Sequence, residues 1–555
     1  MSISKNSVAA AAEELEAVQP VSKHDNDVAL LDANNNIRKI PIPTSNPNDP
    51  LNWSMTKKVL VMVTCCWFSI FGILSVSGIG SVLSTIEEYY SLEYSTATVQ
   101  GLSTYPGLTM AVGCLALLPV SMAIGRRPVF LLSIAGALAC AVGAGASKSF
   151  PSHFVARIFL GIFTGVTESL LPLIISDITF LSQRETCFGI YWGVQSGFNA
   201  AITISLSYIV AASTWRWFYW LFTIALGLGT VLAIFCLPET MFYRSPTSMD
   251  GQVTFTDEFG VTHFLTDEEA LERFGHIEEH QDADIPKLSY ISTLKPFSGV
   301  APNGWKIFVR AYVQIAASLL SPGVLYGLLT SSISLGIGIA MTIIYSSVLT
   351  EKFNWSAASV GLFNVGVVPA CMLATAYTGL VASKTNVWLA TRNNGVHRPE
   401  HHLVSLVVPF LAGVVGIVVI AVVCDKPDTH SAWGLVIGWA IYEFSFVSIL
   451  IITTSFAAEA IPHNPGPAMI VVVGGKSAVS FAATYGLVEM IQIYTYLKTF
   501  MILLGVFVGI FLLGIPVYFI NGKWRRAAAK SNAVHEADDA MCHAVADKKV
   551  DGDAV

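Results

Sequence analysis

Apolar residues in this chain come in long blocks rather than in the alternating or amphipathic spacing of water-facing elements. Blocks long enough to cross a hydrocarbon core of about 30 Å stand near 59–80, 97–120, 128–147, 153–175, 187–211 and 216–237. Six more follow near 321–348, 356–382, 403–424, 432–456, 467–490 and 496–520. A backbone surrounded by apolar side chains has no water to bond, so each block predicts a helix that satisfies its own amides. The pattern therefore predicts an all-α membrane protein with twelve transmembrane helices arranged as two six-helix halves. Polar segments set the boundaries. Residues 1–55 are rich in Ala, Ser, Asn, Asp and Glu without an apolar h-region, which predicts a disordered tail and no cleavable signal peptide. The halves are expected at 56–237 and 305–522, and a second tail at 523–555. Between the halves, residues 238–304 hold twelve acidic against four basic residues, the composition of a solvated linker with no fold of its own.

One stretch is amphipathic. After the linker, Trp305, Phe308, Val309, Tyr312 and Ala316 share one helical face, and Lys306, Arg310 and Gln314 share another. Two readings fit: a helix lying in the membrane interface, or an early start to the seventh span.

Composition agrees with the pattern. Of 555 residues, 53% are hydrophobic and 12% charged, with mean hydropathy +0.61, against about 25% charged in a soluble domain. The net charge of −7 resides mostly in the tails and linker, so no nucleic-acid surface is indicated. The expected partners are the lipid bilayer and a small molecule, and a monomer is expected. Seven of the nine cysteines (Cys65, Cys66, Cys114, Cys140, Cys236, Cys371 and Cys424) lie in apolar blocks without a CxxC pair, which predicts neither disulfides nor a metal or other cofactor. Lys and Arg in the short loops orient the chain. Lys57, Lys58, Arg126, Arg127, Arg184, Lys384, Arg392, Arg398, Lys523, Arg525 and Arg526 fall on one side, which places both termini in the cytoplasm. The first outer loop is acidic, with Glu87, Glu88 and Glu93, and Asn354-Trp355-Ser356 in another outer loop matches a glycosylation acceptor.

Candidate chemistry is sought where a charge stands inside an apolar block. An ionised residue at the centre of a span costs at least about 2.5 to 3.5 kcal/mol. In Arg157–Trp192, Glu168 lies mid-block, and Arg157, Gly161 and Gly165 recur every four residues on one helical face that would admit a neighbouring helix. Arg157 reads equally as an anchor at a helix end. Gly125-Arg126-Arg127-Pro128 forms a tight turn between spans two and three. Gly379, Ser383 and Lys384 echo it faintly between spans eight and nine. Val472-Val473-Gly474-Gly475-Lys476-Ser477 ends like a phosphate-binding loop, but Ile470 stands where its first glycine belongs, and no strand precedes it. Lys476 is instead a lysine inside span eleven. By depth its expected partner is Glu443 in span ten, with Glu459 second. Tyr105, Gln195, Asn199, Tyr326, Asn364 and Tyr442 are further polar groups assigned to mid-depth, and with Glu443 and Lys476 they predict a polar central cavity.

These residues together resemble the major facilitator superfamily, and within it the fungal twelve-span drug:proton antiporter branch that includes polyamine and multidrug transporters. The resemblance covers about residues 45 to 525. It rests on Asn46-Pro47-Asn48-Asp49-Pro50-Leu51-Asn52-Trp53-Ser54, the GRRP turn, the Arg157-Gly161-Gly165 face with Glu168 and Asp177, Trp215-Arg216-Trp217-Phe218, and Pro238-Glu239-Thr240. Two family features are absent. Leu118, Met122 and Ala123 occupy the glycine and Asp-Arg places ahead of the GRR turn, and the glycine-rich antiporter signature of span five reads Gly193, Gly197 and then Phe198-Asn199-Ala200-Ala201. The resemblance implies a non-enzymatic secondary transporter of the cell membrane, in which two halves rock about a midplane cavity. Export of an organic small molecule such as a drug, toxin or secondary metabolite is expected, coupled to protons through Glu168. Uptake of a polyamine or other organic cation is the alternative. A non-transporting sensor is a third reading, one that usually requires a folded cytoplasmic module.

Overall fold

The computed structural model of the chain describes residues 46–242, 247–249, 252–256, 262–266, 288–297, 304–392, 398–460, 465–484, 487–525 and 527. The first half comprises α1 (Met55–Ser77), α2 (Thr96–Ile124), α3 (Arg126–Gly145), α4 (Phe150–Ile178, broken by a 3-10 turn at Gly165–Glu168), α5 (Leu181–Ala212) and α6 (Arg216–Cys236). The second comprises α7 (Pro322–Ser347), α8 (Val360–Asn386), α9 (His401–Asp425), α10 (Ala432–Ala460), α11 (Pro465–Thr484) and α12 (Leu487–Leu512). Among the described residues, eleven helices are long and apolar enough to cross a membrane, and α11, the remaining expected span, is apolar over Ile470–Phe481.

Helices start where side chains settle the free amides of the first turn. The Ser54 Oγ accepts from the Lys57 amide ahead of α1, and Ser95 Oγ from Thr98 ahead of α2, each at 3.4 Å. Before α1, the Asn46–Ser54 segment is a closed turn. Asp49 accepts from the Leu51 amide (3.0 Å), and Asn52 donates to the Asn46 carbonyl (3.0 Å).

Each half has its own core. Phe68, Phe130, Leu160, Ile174, Phe218 and Phe222 centre the first, which continues across the seam to Leu328, Leu450 and Val472, and Ile337, Met341, Phe363, Ile417, Tyr442 and Phe507 the second. Outward positions are also apolar: Leu132, Val155, Ile224, Leu411, Ile437 and Phe519 are exposed, which suits a surface solvated by acyl chains rather than water. The halves meet where α2 packs on α11 and α5 on α8.

One expectation is corrected and one open pair of readings is narrowed. The linker is more ordered than its charge implies, because Thr247–Met249 (β1), Gln252–Thr256 (β2) and Thr262–Thr266 (β3) pair as an antiparallel meander. In Gln252–Thr256, Val253 and Phe255 alternate with Thr254 and Thr256 as a pleated strand favours, a period that counting charges overlooks. The helix Gly304–Ser318 is separate from α7, the chain turning through Leu319–Ser321. Its packed stripe is Gly304, Ile307, Ala311, Ile315 and Ser318, whereas Trp305, Val309 and Tyr312 on the stripe expected to be apolar face outward.

Candidate functional site

The site begins where α2 and α4 cross at backbone contact. A Cβ added to Gly113 would stand 1.9 Å from the Ile162 carbonyl oxygen, and one added to Gly165 would stand 2.2 Å from that of Met110. Gly161 is as tight, 2.2 Å from Thr109 Oγ1. Just past this crossing α4 tightens into the 3-10 turn Gly165–Glu168, and Ser169 leaves helical geometry (φ −131°, ψ −62°). The Tyr191 hydroxyl of α5 donates to the Thr167 carbonyl at 2.7 Å, bracing the turn.

Glu168 emerges from that turn toward the second half. There the Lys476 ammonium on α11 donates to Glu168 Oε2 and to the Val473 carbonyl at 2.9 Å, and it lies 5.8 Å from the centre of the Trp192 ring. Lys476 is 2% exposed and the Glu168 side chain 11%. This overturns the pairing with Glu443. Spans ten and eleven are sequence neighbours at similar depth, but a side chain's direction is set by its helix's rotation, and Lys476 points out of its own half. The side chain of Glu459 lies outside the described residues. A cavity of about 20 Å³ adjoins the pair, lined by Glu168, Phe188, Trp192, Thr454 and Val473 among others, with room for about one water.

The remaining predicted polar residues divide. Phe188, Trp192, Gln195 and Asn199 follow at spacings of four, three and four, so Gln195 and Asn199 extend the face of α5 that lines this cavity. Among the described residues, the buried Asn199 Oδ1 has no hydrogen-bond partner. Glu443 stands eleven residues before Thr454, on the face of α10 that lines this cavity. Among the described residues the Glu443 carboxylate forms no salt bridge. Tyr105 is half-buried between Phe154 of α4 and Phe481 of α11, with ring centres 5.4 and 5.5 Å away. Three others are not central. Tyr326 occupies the second turn of α7 and donates to the Phe511 carbonyl of α12 (3.5 Å). Asn364 closes the opening 3-10 turn of α8 and accepts from the Trp439 indole (3.3 Å). Tyr442 is fully buried and spends its hydroxyl on the Ser334 carbonyl. The first two sit near helix ends because the observed spans start at Pro322 and Val360.

Arg157 is neither a helix-end anchor nor near Glu168's cavity. Fully buried, it donates to the carbonyls of Leu102 (2.8 Å), Ser75 (2.8 Å) and Val76 (2.7 Å), clamping α1 to α2. The GRR turn is a second clamp. Gly125 adopts φ +104°, open to glycine, and would meet the Glu239 carboxylate at 2.5 Å if it carried a Cβ. Glu239 accepts from the Arg126 and Arg127 amides (3.0 and 3.2 Å). Arg126 Nε reaches Asp177 at 3.3 Å, and Arg127 donates to the Ile234 and Leu294 carbonyls (2.8 and 2.9 Å).

Sequence reasoning missed two groups. Glu400, buried before α9, accepts from Asn521 Nδ2 (2.8 Å) and Arg525 (3.0 Å), tying the α8–α9 turn to the far end of the last span, Ile493–Arg525, beyond α12. It is the second half's counterpart to the GRR clamp with the charges exchanged, whereas Gly379, Ser383 and Lys384 lie within or beside a π-helical turn. At the opposite end of the bundle, Glu87 on the short helix Leu83–Tyr90 accepts from Gln100 Nε2 (2.8 Å) and from Ser347 Oγ of α7 (3.5 Å). Ser84 and Ser346 lie 2.9 Å apart beside it, and Ser207 donates to the Ala358 carbonyl at 2.9 Å, so the halves touch here. Asn354 lies at this end, exposed and in the left-handed region (φ +54°).

The comparisons with known proteins agree with this arrangement. The sequence profile of the Major Facilitator Superfamily matches residues 65–484. The chain belongs to that superfamily. An uncharacterized MFS-type transporter of Schizosaccharomyces pombe is 22% identical over 92% of this chain and 90% of its own length. Protein HOL1 of Saccharomyces cerevisiae is 20% identical over 88% and 90%, and polyamine transporter 4 of the same yeast is 28% identical over 35% and 29%. Among solved structures, a POT family transporter in complex with 5-aminolevulinic acid superposes with TM-score 0.56 at 13% identity, covering 87% of this chain and 98% of that one. The proton:xylose symporter XylE gives 0.53 at 12%, covering 85% and 97%. These two show the fold. The protein is a multi-pass membrane transporter, and its family carries small molecules rather than catalysing reactions on them.

Proposed function

We propose that this superfamily member exports an organic small molecule against a proton flux, and that the Glu168–Lys476 pair is the coupling element. One observation carries the reading: the pair is buried and joins α4 of the first half to α11 of the second. Ionised, Glu168 holds Lys476 and keeps the halves together. A proton taken from outside neutralises the carboxylate and removes that attraction, so the halves separate on the outer side and cargo leaves the face bearing Trp192, Gln195, Asn199 and Glu443. Release of the proton to the other side restores the pair. A buried pair suits this work because losing one charge leaves the other strongly unfavourable, which turns one proton into a large conformational bias.

In the same reading the Gly125 end and both termini face the cytoplasm, following the Lys and Arg distribution, and the transporter acts as a monomer in the cell membrane. Gly125, Arg126, Arg127 and Asp177 keep the cytoplasmic end of the first half rigid while it rocks, and Arg157, Gly161 and Gly165 do so within the bundle. One observation favours a second reading, an organic cation as cargo: among the described residues Glu443 forms no salt bridge, and it shares the α10 face of the cavity-lining Thr454.

Proteoliposomes enclosing a pH dye, challenged with a panel of drugs, polyamines and metabolites, test both readings. Cargo compounds should evoke proton flux, whose sign separates antiport from symport, and Glu168→Gln should abolish it while the protein remains in the bilayer. Full flux from the Gln variant with unchanged pH dependence would remove Glu168 from the mechanism. Glu443→Gln should weaken cationic compounds selectively if the second reading holds.

A further inference from the structure

The helix Gly304–Ser318 has three longitudinal stripes. The buried one packs on α2 of the first half and α11 of the second, so the helix lies over their seam. At 100° per residue, Trp305, Val309, Tyr312, Val313 and Ala316 form the next stripe, all exposed, Trp305 to 75% and Val313 to 62%. Beside it run Lys306 and Arg310, four residues apart and exposed; among the described residues neither forms a salt bridge. A helix facing water gains nothing from an exposed Trp, Val, Tyr and Val stripe, and a helix facing the acyl core would not flank it with two cations. The combination fits a helix lying in the plane of the membrane surface, apolar stripe among acyl chains and cations at phosphate depth.

We propose that Gly304–Ser318 is a strap that binds anionic phospholipid over the α2–α11 seam, with Lys306 and Arg310 engaging the headgroup charge. Since its buried stripe rests on both halves, headgroup binding acts on the seam itself. Within that seam the Gly474 backbone of α11 abuts Cys114 of α2, where an added Cβ would meet the sulfur at 2.2 Å. The proposal requires that the helix be at a membrane surface and is independent of cargo and of proton coupling.

The test is hydrogen exchange, by mass spectrometry, of the full chain in nanodiscs of phosphatidylcholine alone or with about 30% phosphatidylserine, a composition giving a negative surface. The two cations together should slow exchange within 304–318 by up to about 30-fold in the anionic discs, and raised salt should shrink the effect. Lys306→Gln/Arg310→Gln should exchange equally in both lipids, with α2 peptides matching the parent. The parent alone provides a second measurement: discs with a cationic lipid in place of phosphatidylserine should give no slowing. Equal exchange of the parent in neutral and anionic discs, retained slowing in the double variant, or slowing that follows protein concentration rather than lipid charge would each overturn the proposal, the last by assigning the face to a second copy.

Discussion

At the scale of residues, the costly charges were legible and their partners were not. Glu168 and Lys476 stand out because an ion inside an apolar block demands an explanation, but which carboxylate meets Lys476 depends on the rotation of α4 and α11. The observed pair makes a sharp prediction. Stranding one member of a buried pair costs about 3 to 5 kcal/mol, so Lys476→Ala and Glu168→Ala should each lower the thermal midpoint in detergent markedly, and the double variant should be milder than their sum. A coupling above about 1 kcal/mol is expected for contacting residues; additive losses would show that the two do not interact. Glu443→Ala, at a carboxylate with no salt bridge among the described residues, should couple to neither. Lys476 and Glu443 sit on neighbouring spans, so this last comparison separates the observed pairing from the one that depth alone suggests.

At the scale of elements, glycine spacing announced a close helix crossing at Gly161 and Gly165, but the partner helix and its own Gly113 emerged only from the packing. Here α2 and α4 have no room for one methyl group. Gly165→Ala should force the backbones apart and cost about 1 to 3 kcal/mol, as overpacking does, with loss of flux because Glu168 lies three residues on. Gly107→Ala on α2, whose added Cβ would meet nothing within 4 Å, should be neutral or stabilising by up to about 1 kcal/mol through helix propensity. Thermal melts of the two alanine variants decide the point, and equal midpoints would show that the crossing relaxes freely.

At the scale of the whole molecule, contacts between the halves close the Glu87 end. Burial pushes the Glu87 carboxyl above its ordinary value of 4.5, with Glu351 adding to the rise and the bonds from Gln100 and Ser347 opposing it. A raised value means that the closed end binds a proton more tightly than an open end with Glu87 in water. Closure is therefore strongest below the ordinary carboxylate value and weakens as pH rises through the raised one. Spin labels at Leu92→Cys and Ser356→Cys, both exposed at this end, should report a longer distance by double electron–electron resonance as pH rises, and Glu87→Gln should flatten that dependence. An unchanged profile in the Gln variant would transfer the effect to another group.

The sequence alone determined the features that local chemistry dictates: blocks of apolar residues must become helices because a bilayer offers backbone amides no other partner, and their count, their division into sixes and the cost of Glu168 and Lys476 derive from that. It also holds the strand alternation of Gln252–Thr256. The tertiary structure decided everything that depends on how one helix is rotated against another. It joined Glu168 to Lys476 across the seam, turned Arg157 onto three carbonyls, moved Tyr326 and Asn364 to helix ends, and matched Glu400 with Arg525, as residues about 120 apart in the chain can meet only through packing. Apolar blocks specify depth along the membrane normal, but a span that is hydrophobic on all sides says nothing of its azimuth, and azimuth is what brings one side chain to another.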